Sequence, residues 1–246
     1  MPWIYLSPHF DDVALSCGGL VWEQVLLCEH VSIWTVCAGE PPMDDFSTFA
    51  KELHARWKFD QDASARRRIE DLRSCQRLGA TYRHFSVPDC IYRRHPQSNE
   101  FMYASESALN GPLQPGDSQV IHTLQEQIGK SLLPDAIVVC PLGLGDHVDH
   151  QLTRLVAEGL DRPLWYYADY PYVLHYLAQL EQMAQAGWVS QVFPISADGL
   201  AAWMDSVSAH GSQISTFWVN DLDMRRAITD YLQTNDGIRL WKKPAE

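Results

Sequence analysis

The chain has 246 residues, 46% hydrophobic and 20% charged, which fits one folded α/β-sized unit and excludes a disordered, collagen-like or coiled-coil chain. Lys and Arg number 19 against 31 Asp and Glu, a net charge of −12 with His neutral, and an acidic surface of that size repels nucleic acid and anionic membranes. No apolar run is long enough to span a bilayer and the first residues carry no secretion-signal pattern, so a cytoplasmic location is expected.

In chain order, Ile4-Tyr5-Leu6 and Val31 to Cys37 read as buried strands, closed by Ser7-Pro8 and Ala38-Gly39. Between them, residues 14–29 carry apolar side chains at helical intervals, with Gly18-Gly19 permitting close backbone approach. The unit repeats with a helix over 63–78, closed by Gly79, and a strand over 82–87, stopped by Pro88. A helix over 117–132, with Asp117 or Ser118 as its cap, precedes the apolar run Asp135 to Cys140, and a helix over about 150–160 precedes a strand over 163–167. Beyond residue 172, helices over about 173–186, 198–210 and 221–234 surround one strand near 188–195. This alternation predicts an α/β fold over a single domain, 1–246, with a Rossmann-like, mostly parallel sheet and helices on both faces. Residues 40–62 and 91–116 break the rhythm and read as long loops over one rim, where such sheets place substrates. The six cysteines, at 17, 28, 37, 75, 90 and 140, form no C-x-x-C pair and read as mostly buried thiols.

Two clusters carry chemistry. Ser7-Pro8-His9-Phe10-Asp11-Asp12 follows the first strand, and Asp146-His147-Val148-Asp149-His150 follows the strand ending at Cys140. On the same rim they supply two imidazoles and one carboxylate with a position left for water, the donor set of a catalytic rather than a structural zinc. Iron(II) and cobalt suit the same donors.

These residues resemble the LmbE-like/PIG-L family of zinc-dependent N-acetylglucosaminyl de-N-acetylases. Pro8-His9-Phe10-Asp11-Asp12 with Cys17-Gly18-Gly19 is similar to its P-H-x-D-D…C-G-G signature, and His147-Val148-Asp149-His150 to its H-x-D-H motif. Weaker agreement at Arg67 to Asp71, Pro88-Asp89 and Ser212-Gln213 extends the likeness over about residues 3–240. The resemblance implies that His9, Asp12 and His150 hold zinc and that Asp11 is the general base. It implies His147, as an imidazolium, as oxyanion stabiliser, with Asp149 orienting a His or holding the loop. Asp11, once protonated, is the first choice to protonate the departing amine, and His147 the second. Arg67 and Asp89 occupy positions that meet substrate. Two positions depart from the family pattern: Val13 stands where many members have Glu, and Trp203 where a Lys is common.

The expected activity is removal of an N-acetyl group from an N-acetylglucosamine-type sugar or glycoconjugate, a small-molecule substrate, with oligomeric state unreadable. One alternative keeps the metal and acts on a non-sugar amide. Another is a non-catalytic, nucleotide-binding or regulatory α/β module whose acidic loops only chelate metal or cap helices; against it, the chain has no G-x-G-x-x-G or Walker pattern to cradle phosphate.

Overall fold

The computed structural model describes residues 1–27, 29–41, 45–56 and 63–244; Cys28 and parts of the 40–62 segment lie outside them. Five strands alternate with helices as the apolar patterning requires: β1 (Trp3–Ser7), β2 (Val31–Thr35), β3 (Thr81–His84), β4 (Ile137–Pro141) and β5 (Leu164–Tyr167). The helices between them are α1 (Asp12–Leu26), α2 (Thr48–Arg56), α3 (Ala63–Leu78), α4 (Glu106–Leu109), α5 (Ser118–Ser131) and α6 (Val148–Glu158). After β5 come α7 (Leu177–Gln185), β6 (Val189–Phe193), α8 (Ala197–Ser208), α9 (Gly211–Phe217), α10 (Asp221–Asn235) and β7 (Ile238–Lys242).

The strands form a seven-stranded sheet in the order β3-β2-β1-β4-β5-β7-β6, parallel from β3 to β5 and antiparallel where β7 meets β5 and β6. Helices α1 and α3 pack together, as do α5 and α6, in the arrangement that right-handed crossovers produce on the two faces of a parallel sheet. Helix α8 returns to pack on α1 and α3. The direction of winding reverses between β1 and β4, and a crevice opens there at the carboxyl ends of the strands.

The main core fills both faces of the sheet, with Leu6, Val13, Ile33, Val138 and Leu152 among its buried members. Each such side chain contributes about 1.5–3 kcal/mol of hydrophobic stabilisation. Val13, where the family often has Glu, therefore turns into the core. The glycine pair of α1 has a steric cause: a Cβ on Gly18 would lie 2.6 Å from Trp203 Cδ1, so only glycine lets α8 sit this close. Trp203 is fully buried and donates its indole N–H to Leu15 O at 3.2 Å, which gives that position a packing role. A second, smaller core of Phe49, Leu53, Ile91, Tyr92, Tyr103 and Val148 joins α2, the segment after β3 and the start of α6.

Four expectations change. The 40–62 segment contains α2, whose Phe49, Ala50 and Leu53 are buried in the second core. Helix α6 begins at Val148, because His147 caps it by accepting the Asp149 N–H on Nδ1 at 3.2 Å. The predicted strand over 82–87 leaves the ladder after His84, with isolated bridges from Ser86 to Cys37 and from Pro88 to Gly39 continuing the contact. Helix α4, inside the 91–116 segment read as a loop, helix α9 and strand β7 were not anticipated; β7 follows a turn in which Asp236 has φ of 55° and Gly237 of 146°.

Candidate metal centre

Three neighbouring parallel strands, β1, β4 and β5, each end in a segment that sends side chains to one point. Beyond β1, the chain turns through Pro8–Asp11 into α1, held by Cys37 N–H donating to Pro8 O at 2.9 Å and by Ser7, whose hydroxyl accepts Val13 N–H at 3.2 Å. The Asp12 carboxylate accepts the His9 backbone N–H at 2.7 Å, which folds the turn back on itself and aims both side chains inward. Beyond β4, Gly143 and Gly145 adopt φ of 77° and 92°, a conformation that favours glycine, before α6 starts. His150 sits in its first turn. Beyond β5 comes Asp169, 1% exposed.

Donor atoms of His9, Asp12 and His150 lie within 4.8 Å of one another, close enough to share one ion. His9 Nδ1 is 3.2 Å from Asp12 Oδ2, and His150 Nε2 is 3.4 Å from Asp12 Oδ1. The remaining nitrogen of each imidazole is held by a buried carboxylate: His9 Nε2 lies 3.0 Å from Asp149 Oδ2, and His150 Nδ1 lies 2.7 Å from Asp169 Oδ1. Such partners hold each ring in place, so that a metal taking the place of the inward proton would meet a lone pair on its inward nitrogen.

Electrostatics favour a cation at this point. Burial alone would push the His9 and His150 pKa values down, yet His9 is held well above its usual range by Asp12 and Asp149, and His150 is raised to about 10 by Asp12 and Asp169. Burial pushes the Asp12 carboxyl up, but His150 and His9 outweigh it and hold it well below the usual range. Positive charge stabilised by protons can be supplied instead by a divalent metal, and two imidazoles with one carboxylate are the donors such an ion takes. The residues fit a divalent cation.

The other expected residues surround this group. Asp11 stays beside it, its Oδ1 accepting from Arg67 Nη2 at 3.0 Å, and Arg67 Nη1 lies 3.9 Å from Asp89 Oδ2. Asp89 Oδ2 is also 3.7 Å from His9 Nε2. The His147 ring is 5.0 Å from that of His9 and 5.3 Å from that of His150. Burial and the two neighbouring imidazoles push its pKa down to about 4, against the opposing pull of Asp149. With Nδ1 already accepting the Asp149 amide, the single proton of neutral His147 resides on Nε2. The resemblance implies an imidazolium here, whereas this geometry leaves the ring a donor through Nε2.

Asp149 is engaged through both of its oxygens. Its Oδ2 accepts from His9 and from Cys90 N–H, each at 3.0 Å, and its Oδ1 from Arg93. Burial pushes its carboxyl up, but Arg93 and then His9 outweigh that and hold it well below the usual range. Asp149, grouped with the catalytic residues and expected to orient a His or hold the loop, stands behind His9.

Sequence reasoning missed Asp169 and Arg93. Asp169 stands one residue past the predicted 163–167 strand and its Ala168, the same location relative to its strand as the two motifs, and that was the available signal. Arg93 lies in the 91–116 segment with no motif around it.

The group opens on a cleft of about 1000 Å³ lined by Asp11, Asp12, Arg67, Asp89 and His147 on its floor and by Leu53, Leu174 and Trp218 higher up. The described cysteines 17, 37, 75, 90 and 140 are buried and free. Among the described residues, no helix is long and apolar enough to cross a membrane.

A parallel α/β sheet that gathers His, Asp and His donors beside an ionisable carboxylate at its switch point defines a candidate metal-dependent hydrolase centre. The PIG-L family model, GlcNAc-PI de-N-acetylase, matches residues 4–159, and the chain belongs to that family. It is 30% identical over 177 residues to a 2'-N-acetylparomamine deacetylase of Streptomyces fradiae, covering 69% of this chain and 57% of that protein. The protein of the same name from Niallia circulans is 28% identical over 206 residues, covering 75% and 71% respectively. The chain thus spans little more than half the length of the first of these relatives. Among solved structures, the zinc-inhibited form of teicoplanin deacetylase superposes with a TM-score of 0.83 at 21% identity, covering 98% of this chain and 97% of the other. N,N'-diacetylchitobiose deacetylase from Pyrococcus horikoshii superposes at 0.58 with 16% identity, over 98% and 82%. These likenesses establish the fold.

Proposed function

We propose that this chain is a zinc-dependent hydrolase that removes the N-acetyl group from an N-acetylglucosamine-type sugar, free or within a larger glycoconjugate. The convergence of His9, Asp12 and His150 beside Asp11, at a cleft that His9, Asp11 and Asp12 line, carries this reading. The names of the curated relatives, both deacetylases of an N-acetylated amino sugar, support the substrate class.

His9, Asp12 and His150 hold the ion. Bound there, zinc supplies Lewis acidity toward the amide carbonyl and lowers the pKa of a coordinated water from about 15.7 toward 7. Asp11 takes the proton from the attacking water, and Arg67 holds its carboxylate in place through the 3.0 Å contact. Protonated Asp11 is then the nearest acid for the departing amine. His147 donates its Nε2–H to the oxyanion of the tetrahedral intermediate, and as a neutral donor it does not repel the cation. Arg67 and Asp89, both on the cleft floor, meet the sugar hydroxyls. Asp149 and Asp169 act through the imidazoles they hold.

Amine release from N-acetylglucosamine and a panel of its glycosides tests the reading, before and after chelation and with zinc, iron(II) or cobalt restored. Chelator-sensitive release restored best by zinc is expected. Release only from non-sugar acetamides would replace the sugar reading with an amidase, and a metal-loaded protein inert on every substrate would contradict hydrolysis.

A further inference from the structure

Behind the centre, a buried chain of charges leaves the two motifs and enters the 91–116 segment. Arg93 follows a 3-10 turn at Cys90–Tyr92 and is 4% exposed. Its Nη1 donates to Asp149 Oδ1, while its Nε lies 2.9 Å from Asp117 Oδ1 and its Nη2 donates to Asp117 Oδ2 at 3.2 Å. The guanidinium sits 5.2 Å from the centre of the Tyr103 ring, and the Tyr103 hydroxyl donates to Asp117 Oδ2 at 2.5 Å. Asp117, which the sequence marks as a helix cap, makes no side-chain capping bond and spends its carboxylate on Arg93 and Tyr103. Both carboxylates of this array are fully buried.

We propose that Arg93 is a positioning residue for the metal ligand His9, acting through Asp149 and itself clamped by Asp117 and Tyr103. The inference rests on the metal centre argued above.

A planar guanidinium can engage two carboxylates at once from fixed directions, which an ammonium cannot. Here it fixes Asp149 Oδ1 from behind, so that Oδ2 faces His9 Nε2 and the ring turns Nδ1 toward Asp12. Without Arg93, Asp149 loses the one cation among its partners and keeps the Cys90 amide, the Cys37 thiol and His9 itself, which hold it less firmly. The second core buries Tyr103 beside Val148 of α6, so the segment that carries the clamp is packed against the helix that carries Asp149 and His150. One role of the 91–116 segment is thereby assigned: it supplies the cation and the aromatic face that hold the outer partner of a ligand.

Competition between the protein and a chromophoric chelator for Zn²⁺ alone provides the test, with no substrate present. Arg93→Met is expected to weaken zinc binding by roughly tenfold to a hundredfold, the usual effect of losing an outer partner of a metal ligand. Arg93→Lys restores charge without the fork and is expected to recover part of that loss. In an Asp149→Asn background, Arg93→Met should add less than about twofold, because the path through Asp149 is already cut. Arg93→Lys carries the test if Arg93→Met does not fold. Unchanged zinc affinity in Arg93→Met or Arg93→Lys, with only a lower melting temperature, would overturn the proposal in favour of a structural role. Fully additive losses in the double variant would overturn the route through Asp149. A native chain that takes up no zinc overturns the centre itself and this inference with it, an outcome distinct from the other two.

Discussion

Asp169 accepts the Nδ1–H of His150 at 2.7 Å while its other oxygen accepts the Leu144 N–H at 2.9 Å. One buried carboxylate from the end of β5 thus fixes both the ring of a metal ligand and the loop that precedes α6. Asp169→Ala is expected to weaken metal affinity by roughly tenfold to a hundredfold. It also leaves the buried Leu144 N–H without its acceptor, at a cost of about 1–3 kcal/mol. Zinc titration and denaturant unfolding of the variant measure the two effects separately.

Asp11 is not among the three donors, and its carboxylate is held by Arg67. Asp11→Asn is therefore expected to keep a full complement of metal and to lose about 10²–10⁴-fold in kcat, the range that a positioned base contributes. Metal analysis and turnover of the same preparation check the pair of outcomes, and full turnover in the variant would remove Asp11 from the role of base.

The contact of α1 with α8 leaves no room at Gly18, where a Cβ would come within 2.6 Å of the buried indole of Trp203. Gly18→Ala is expected to destabilise the fold by about 1–3 kcal/mol through overpacking. Urea unfolding should show a lower midpoint with an unchanged slope.

At the far end of α6, Glu158 lies 2.8 Å from Lys243 and 2.9 Å from Arg154. Burial pushes its carboxyl up, but these two cations outweigh it and hold the pKa below the ordinary value of 4.5. A group depressed on folding adds stability above its unfolded pKa and loses it as the pH falls through the folded value. Glu158→Gln should accordingly be less stable than the native chain at pH 7, by about 0.5–1 kcal/mol after allowance for solvent screening. The difference should shrink below about pH 4, as unfolding curves at the two pH values would show.

The parallel half of the sheet was legible because buried strands and amphipathic helices leave distinct periods, and β1, β2, β4 and α3 fall where the apolar pattern puts them. The two motifs were legible because their residues sit within a few positions of one another at the ends of such strands. Helix α2 was not, because its apolar residues Phe49, Ala50 and Leu53 face a small second core that exists only after the segment beyond β3 folds over it. Strand β7 has a readable alternation of Ile238 and Leu240 behind an Asp236-Gly237 turn, but a short antiparallel strand at the end of a parallel pattern carries little periodic signal. Asp117, Arg93 and Asp169 eluded the reading for a common reason. Arg93 meets Asp117 and Asp149 from 24 and 56 residues away, and Asp169 meets His150 from 19, so only the folded chain brings these partners together.

Crystals soaked in zinc and measured across the zinc absorption edge would test the central claim most directly. The account predicts one strong anomalous peak at about 2.0–2.2 Å from His9 Nδ1, an Asp12 oxygen and His150 Nε2, with Asp11 nearby and uncoordinated. A peak absent from this point, or one bound through Asp149 or His147 in place of these three residues, would contradict it.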